Sequence, residues 1–388
     1  MPWLMVAVPD GQRYSCRECG ECCRWWPIEV TRAERDRLLA HDWAAESPRL
    51  RGIKLFEETA LRGGRERRIQ TAHLGGSCVF LEEDGLCLIH KVLGLEAKPA
   101  GCRRFPVRMA VTPDGILMGA DYACRAVILN DGRPFDELEE GIIAELPGEG
   151  LRKLQASASE TQTALVPGMI VPWAAYMEVE TALLEILGSA RYSVTTRLAA
   201  ANALLSAMAA DWSGRHVVER ERVREWLITE RDLDYSRAFE ASEPSRTGGS
   251  RPVVRVAPAI GNVEAPHPPE SLMGSAAIGY AMAIAAEEGV LYLSTLDAMV
   301  DLTAVGQIAC DMDAPEFDDY LTRFLSSYVM RKSLLQSSDL KTGWEHLITC
   351  FDLIHWYTRA SASLSVGHQV SLDDLVRGIQ VVEKAFVP

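Results

Sequence analysis

The chain lacks several things that would assign a common function. No apolar run approaches the length of about 20 residues that a membrane-crossing helix needs. The start, Met1 to Asp10, has no basic stretch ahead of an apolar one, so a cytoplasmic location is the expectation. There is no phosphate-binding Gly-x-x-x-x-Gly-Lys-Ser/Thr loop and no Gly-x-Gly-x-x-Gly after a strand. There is no Cys-x-x-x-Cys-x-x-Cys of the kind radical S-adenosylmethionine enzymes use. No Ser/His/Asp order stands out, and no internal repeat is evident. Lysine is scarce in the first third, where it occurs only at 54, 91 and 98.

Positive charge is also missing where nucleic acid would need it. Residues 1–134 carry 20 Lys and Arg against 18 Asp and Glu, while the remainder carries 20 against 36. A long acidic part argues against nonspecific nucleic-acid binding, which depends on basic surface. No membrane partner is expected either. A protein partner or substrate is compatible with this surface.

What the chain has is cysteine in one place. Eight of its ten cysteines fall between Cys16 and Cys124, opening with Cys16-x-x-Cys19-x-x-Cys22-Cys23. Cys78, Cys87, Cys102 and Cys124 follow. In a reducing compartment such a group reads as metal-binding rather than as a disulfide frame. Thiolates are soft ligands that select zinc, Cu(I) or iron–sulfur clusters. The first three spacings match a ferredoxin-type run, whose fourth ligand would have to come from a remote cysteine. A Cys-x-x-Cys knuckle with a distant pair would equally build a tetrahedral zinc site. Eight thiols suffice for one site with spares or for two four-ligand sites. Cofactors expected are therefore an iron–sulfur cluster, of the 4Fe-4S kind, or zinc or iron.

The competing readings are plainer. Export would allow disulfides, but no export signal is seen. A catalytic cysteine needs one special thiol rather than eight. Cys310 and Cys350 lie in apolar helical sequence and read as core. His90 reads more readily as a polar neighbour of the site than as a ligand. Arg103 and Arg104 could offset thiolate charge or could be a solvated pair. Trp25 and Trp26 read as a hydrophobic lid or core.

The fold class expected is α+β. Residues 11–133 read as a small, loop-rich cysteine module with short hairpins. Ile28 to Val30 is a strand candidate, and Thr31-x-x-Glu34 is a capping box opening a helix to about Trp43. Val79–Leu81 and Leu86–Ile89 flank one hairpin turn; Phe105–Val111 and Ile116–Met118 flank another at Pro113-Asp114-Gly115. Residues 134–242 read as helical, with periodic apolar stretches at Val171–Leu187 and Val194–Trp212. Residues 243–269, rich in Pro and Gly, read as a flexible linker or loop. Residues 270–388 read as helical and as packed with 134–242. There, Phe317, Tyr320, Leu321, Phe324, Leu325 and Tyr328 form one apolar stripe, and Ser371-x-x-Asp374 caps the last helix.

Tyr14-Ser-Cys16-Arg-Glu-Cys19-Gly-Glu-Cys22-Cys23-Arg24, with Cys78-Val-Phe-Leu81, Gly85-Leu-Cys87-Leu-Ile-His90 and Lys98-Pro99-x-x-Cys102-Arg103-x-Phe105-Pro106, resembles the YkgJ-type cysteine cluster proteins. That resemblance covers roughly residues 11–130 and implies a zinc- or iron-chelating module. A longer resemblance is to the flagellin lysine-N-methylase family. It is carried by Ile89-His-Lys-Val-Leu-Gly94, the Cys102 segment and Tyr320-Leu-x-x-Phe-Leu-x-x-Tyr328-Val-x-Arg331. It implies an iron–sulfur cluster and methyl transfer from S-adenosylmethionine to protein lysines. The first cysteine cluster of this chain is more tightly spaced than that family's. Two functions thus stand side by side: a metal-binding module, or a protein-lysine N-methyltransferase. No residue is assigned as a catalytic base.

Overall fold

A computed structural model describes residues 4–24, 27–60, 67–138, 162–212, 214, 216–241, 252–265 and 273–387. Within it the chain is α+β, with short paired strands in the first part and helices dominating the second. Trp25 and Trp26 lie outside the described residues.

Among the described residues, two hydrophobic cores stand out. The smaller is built within the cysteine module from Leu38, Trp43, Leu50, Phe56, Ile69, Val79, Phe80, Leu88 and Ile89. Trp43 packs edge-on against Phe80, with ring centroids 5.1 Å apart. Its indole N–H donates to the Leu38 carbonyl, so the buried polar edge of the ring is satisfied. The larger core runs through the helices but begins earlier in sequence. Met118, Ala120, Tyr122, Val127, Ile128 and Phe135 belong to it. The end of the cysteine-bearing segment is therefore packed into the helical part.

That junction is a three-stranded sheet. Gly115–Ala120 lies in the middle, parallel to Leu4–Val6 and antiparallel to Val107–Thr112. The hairpin expected at Pro113-Asp114-Gly115 forms, with Thr112 opposite Gly115. The other expected hairpin is reduced to its turn and one rung: the Glu82 N–H donates to the Leu86 carbonyl oxygen at 2.9 Å and the Leu88 N–H to that of Phe80 at 2.7 Å. Leu81 and Cys87 make an isolated bridge, and Leu88–Leu93 turns into a helix. The alternation there was too short to distinguish a strand from one buried helical turn. Ile28–Val30 likewise contributes only the bridge of Glu29 to Gln70. The capping box at Thr31 and Glu34 forms, but its helix ends at Leu39, and Trp43–Glu46 is a separate turn capped by Asp42.

In the second part, Trp173–Leu187 and Val194–Asp211 are helices, the first preceded by the strand Met169–Pro172. Pro134 leads only into a short 3-10 turn, Phe135–Leu138, before the described residues stop. The expected linker at 243–269 needs correction where it is described, because Pro252–Glu264 is a helix with Val256 and Ile260 fully buried. The Pro- and Gly-rich stretches 243–252 and 264–270 suggested a break, yet the helix between them forms with Pro258 inside it.

The centre of the helical part is Leu340–Ala362, started by Asp339, whose carboxylate accepts from the Thr342 N–H at 2.9 Å. Trp344, Leu347, Cys350, Ile354, Trp356 and Tyr357 are all buried, so the helix is apolar around most of its girth and sits inside the bundle. Pro315–Met330 buries Phe317, Leu321, Phe324, Leu325 and Tyr328, the expected stripe; Tyr320 is half-buried. Leu372–Ala385 begins at the expected Ser371 and Asp374 capping box and packs along the central helix. Among the described residues, no helix is long and apolar enough to cross a membrane.

Candidate metal centre

The first cysteine cluster is irregular backbone. Cys16 and Cys19 are exposed on the loop after the strand Arg13–Tyr14, and Cys22 and Cys23 share the 3-10 turn Glu21–Arg24. The Glu18 N–H donates to the Cys16 sulfur at 3.4 Å. Gly20 lets this loop press on the 82–85 turn. It has φ of +68°, and a Cβ there would stand 2.8 Å from the Gly85 carbonyl oxygen. Two loops of the module are thus brought into contact at a point where only glycine fits.

The later cysteines come from short ordered elements. Cys78 ends a two-residue hairpin opposite His73. Cys87 precedes the helix Leu88–Leu93, Cys102 lies within Ala100–Arg104, and Cys124 precedes Arg125–Ile128. A cavity of about 580 Å³ is bordered by Cys16, Cys22, Cys23, Cys87 and Cys102, with Tyr14, His90 and Lys98. A small apolar chamber of about 40 Å³ is bordered by Cys22, Cys23, Cys78, Cys87 and Cys102, with Phe80 and Ile89. Six of the eight cysteines therefore face one pair of adjoining spaces. Cys19 and Cys124 border neither, but both interact electrostatically with Cys22. Cys22 and Cys23 have their sulfurs 4.0 Å apart. Among the described residues, no three His, Cys, Asp or Glu side chains converge closely enough to hold a single metal ion as they stand.

The electrostatics favour a cation. A hydrogen bond with Cys23, then burial, pushes the Cys22 thiol well above its usual range. Burial raises Cys19, Cys78 and Cys102, and neighbouring sulfurs add to it. Burial, against N–H groups of Val127 and Ala126, pushes Cys124 up to about 12. Thiols packed this way resist ionising together and keep their protons unless a cation takes their place. The donor set is soft, clustered and largely buried, and it suits zinc, iron or an iron–sulfur cluster.

Lys98 is the module's own counter-charge. Burial works against its ammonium, yet Cys87, Cys102, Cys22 and Cys23 outweigh that and hold its proton more tightly than usual. For Arg103 and Arg104 the sequence left charge compensation and a solvated pair both open; the two residues border the larger cavity. Arg103 donates to the carbonyl oxygens of Glu96, at 2.9 Å, and of Lys98, at 2.5 Å, and so staples the loop that carries Lys98. The scarcity of lysine, with Lys98 four residues before Cys102, was the signal available. Tyr14 also went unassigned. It lies beside Cys16 and Cys124, and burial raises its phenol well beyond the usual range.

Cys310 and Cys350 are remote from this group. Cys350 is fully buried in the helical core, and Cys310 is half-buried with its sulfur 3.8 Å from that of Met312.

Residues 15–124 match the CxxCxxCC family model, described as "Putative zinc- or iron-chelating domain". The chain is also 28% identical over 135 residues to the Lysine-N-methylase of Salmonella choleraesuis (strain SC-B67). That similarity covers 34% of this chain and 32% of the relative, so the chain spans about a third of the length of the protein it matches. No solved structure matches the chain. Similarity to a cysteine-cluster chelating domain is thus shown for the module, and similarity to lysine methylases is weak and partial.

Proposed function

We propose that residues 15–124 hold an iron–sulfur cluster of the 4Fe-4S kind through cysteine thiolates, drawn from Cys16, Cys19, Cys22, Cys23, Cys78, Cys87, Cys102 and Cys124. The observation that carries this reading is six thiols around two adjoining spaces, with Lys98 beside them. The larger space has room for a multi-iron group, which spreads its thiolates wider than one ion does. When bound, the cluster would supply electron transfer or a polarising centre. The protein's residues hold it, shield it on the Phe80 and Ile89 side, and balance its charge through Lys98. We place the protein in the cytoplasm, where such thiols stay reduced.

Anaerobic purification followed by iron, sulfide and zinc analysis tests this. A brown protein with iron and sulfide is expected. Stoichiometric zinc without sulfide would replace the cluster by a closed structural zinc site. A colourless, metal-free protein that folds normally would sink both.

A second reading has one observation in its favour, the similarity to a Lysine-N-methylase. It is S-adenosylmethionine-dependent methyl transfer to a protein lysine, with the cluster nearby. Calorimetry with S-adenosylmethionine decides it: no heat of binding at millimolar ligand counts against an enzyme of this kind.

A further inference from the structure

Among the contacts of the last helix, Leu372–Ala385, with the cysteine module is one buried amide. Gln380 is 4% exposed, and its Nε2 uses both protons. One goes to the Glu21 carboxylate at 2.8 Å, the other to the Ala123 carbonyl oxygen at 3.0 Å. Glu21 stands between Cys19 and Cys22, and Ala123 precedes Cys124. A single planar group therefore ties together two cysteine-bearing segments that lie a hundred residues apart. Its two donors diverge at a fixed angle, so the separation of the segments is set by the amide itself. On the same helix Asp373 pairs with Arg125 at 2.5 Å, which keeps that face of the helix seated beside Cys124.

We propose that Gln380 is a positioning residue that fixes the Cys19–Cys22 loop against the segment carrying Cys124. This rests on the thiolate metal site proposed above. Cys22 and Cys19 both act electrostatically on the Cys124 thiol, which agrees with the hydrogen-bonded bracket. Groups that fix ligand segments in this way are commonly worth about 10–100-fold in metal affinity. No local pattern points to it, because Gln380 sits in an amphipathic helix far along the chain from any cysteine.

The test uses the full-length protein, wild type and the variants Gln380→Leu, Gln380→Glu and Glu21→Leu, all checked for cooperative thermal unfolding. Gln380→Leu removes both donors at similar size, and Gln380→Glu sets a carboxylate against Glu21. Glu21→Leu cuts one arm from the loop side should the helix variants fold poorly. Two readouts are taken. Metal release to a soluble chelator, followed by absorbance, should be faster by about 10-fold or more in each variant. Hydrogen exchange of the metal-free proteins should rise in both segments, 20–24 and 123–128, when Gln380 is changed. Release at the wild-type rate overturns the proposal, even where the melting temperature drops, because a purely structural glutamine would lower stability alone. Loosening of one segment without the other also overturns it. A wild type that holds no metal counts against the metal site, and the exchange of the metal-free proteins then decides the bracket by itself.

Discussion

Arg331 and Glu383 form a fully buried, two-pronged ion pair, with N–O distances of 2.5 and 2.8 Å. It joins the end of Pro315–Met330 to Leu372–Ala385. Arg331 also donates to the Ala120 carbonyl oxygen at 3.0 Å, and Arg108 reaches Asp121 at 3.0 Å and Glu383 at 3.7 Å. The pair therefore locks the central sheet of the cysteine-bearing segment to two helices of the bundle. Removing one partner leaves the other charge buried. Glu383→Gln should cost about 3–5 kcal/mol, read from urea unfolding midpoints. A loss under about 1 kcal/mol would mean the charges are solvated in a way the burial does not suggest.

The thiols divide cleanly by position. Cys22 interacts with sulfurs of both halves of the set, whereas Cys310 is remote from them. Cys22→Ser should abolish metal loading, and Cys310→Ser should leave it intact. Metal and sulfide analysis of the purified variants checks both. Full loading of the Cys22 variant would remove that residue from the ligand set.

Two glycines in contrasting surroundings separate packing from propensity. A Cβ at Gly343 would lie 2.1 Å from the Leu334 carbonyl oxygen, in backbone that cannot swing away. Gly343→Ala should lower stability by about 1–3 kcal/mol. Gly279 sits on an exposed helical face with nothing within 4 Å of its Cβ position. Gly279→Ala should raise stability by up to about 1 kcal/mol. Thermal melts of the two variants should move in opposite directions.

His355 sets an acid limit. Burial, then the nearby Arg359 charge, lowers its pKa from 6.5 to about 4, against a hydrogen bond to the Cys310 backbone. The folded protein thus keeps it neutral while the unfolded chain takes up a proton. Stability is lost as pH falls from 6.5 towards 4. Asp352 works in the other direction. Burial raises it to about 6 despite Arg255, so the folded state holds a proton that the unfolded chain loses above 3.8. That adds stability as pH falls from 6 to 3.8. His355→Gln should hold its melting temperature better than wild type between pH 6.5 and pH 4, by an amount worth about 1–3 kcal/mol. Parallel pH curves for the two proteins would refute the assignment.

Much of this was legible in residues alone, where the signal is local. Thr31 with Glu34 and Ser371 with Asp374 announce helix starts because a cap needs only three residues of chain. The stripe from Phe317 to Tyr328 announces a buried face because helical periodicity repeats every turn. Where the sequence signal failed, the deciding contact was distant or the run too short. Leu86 to Ile89 cannot show by itself that Cys87 starts a helix.

The clustered cysteines determined, without any structure, that the first third of the chain is a thiol-rich module. Thiol number, spacing and softness are properties of the residues themselves. Only the tertiary structure decided which groups surround those thiols. Lys98 faces four sulfurs, and Arg103 donates to the backbone of the loop that carries Lys98. Gln380 reaches Glu21 across 359 positions of sequence. Burial and hydrogen-bond geometry depend on how distant segments meet, and no spacing along the chain encodes that meeting.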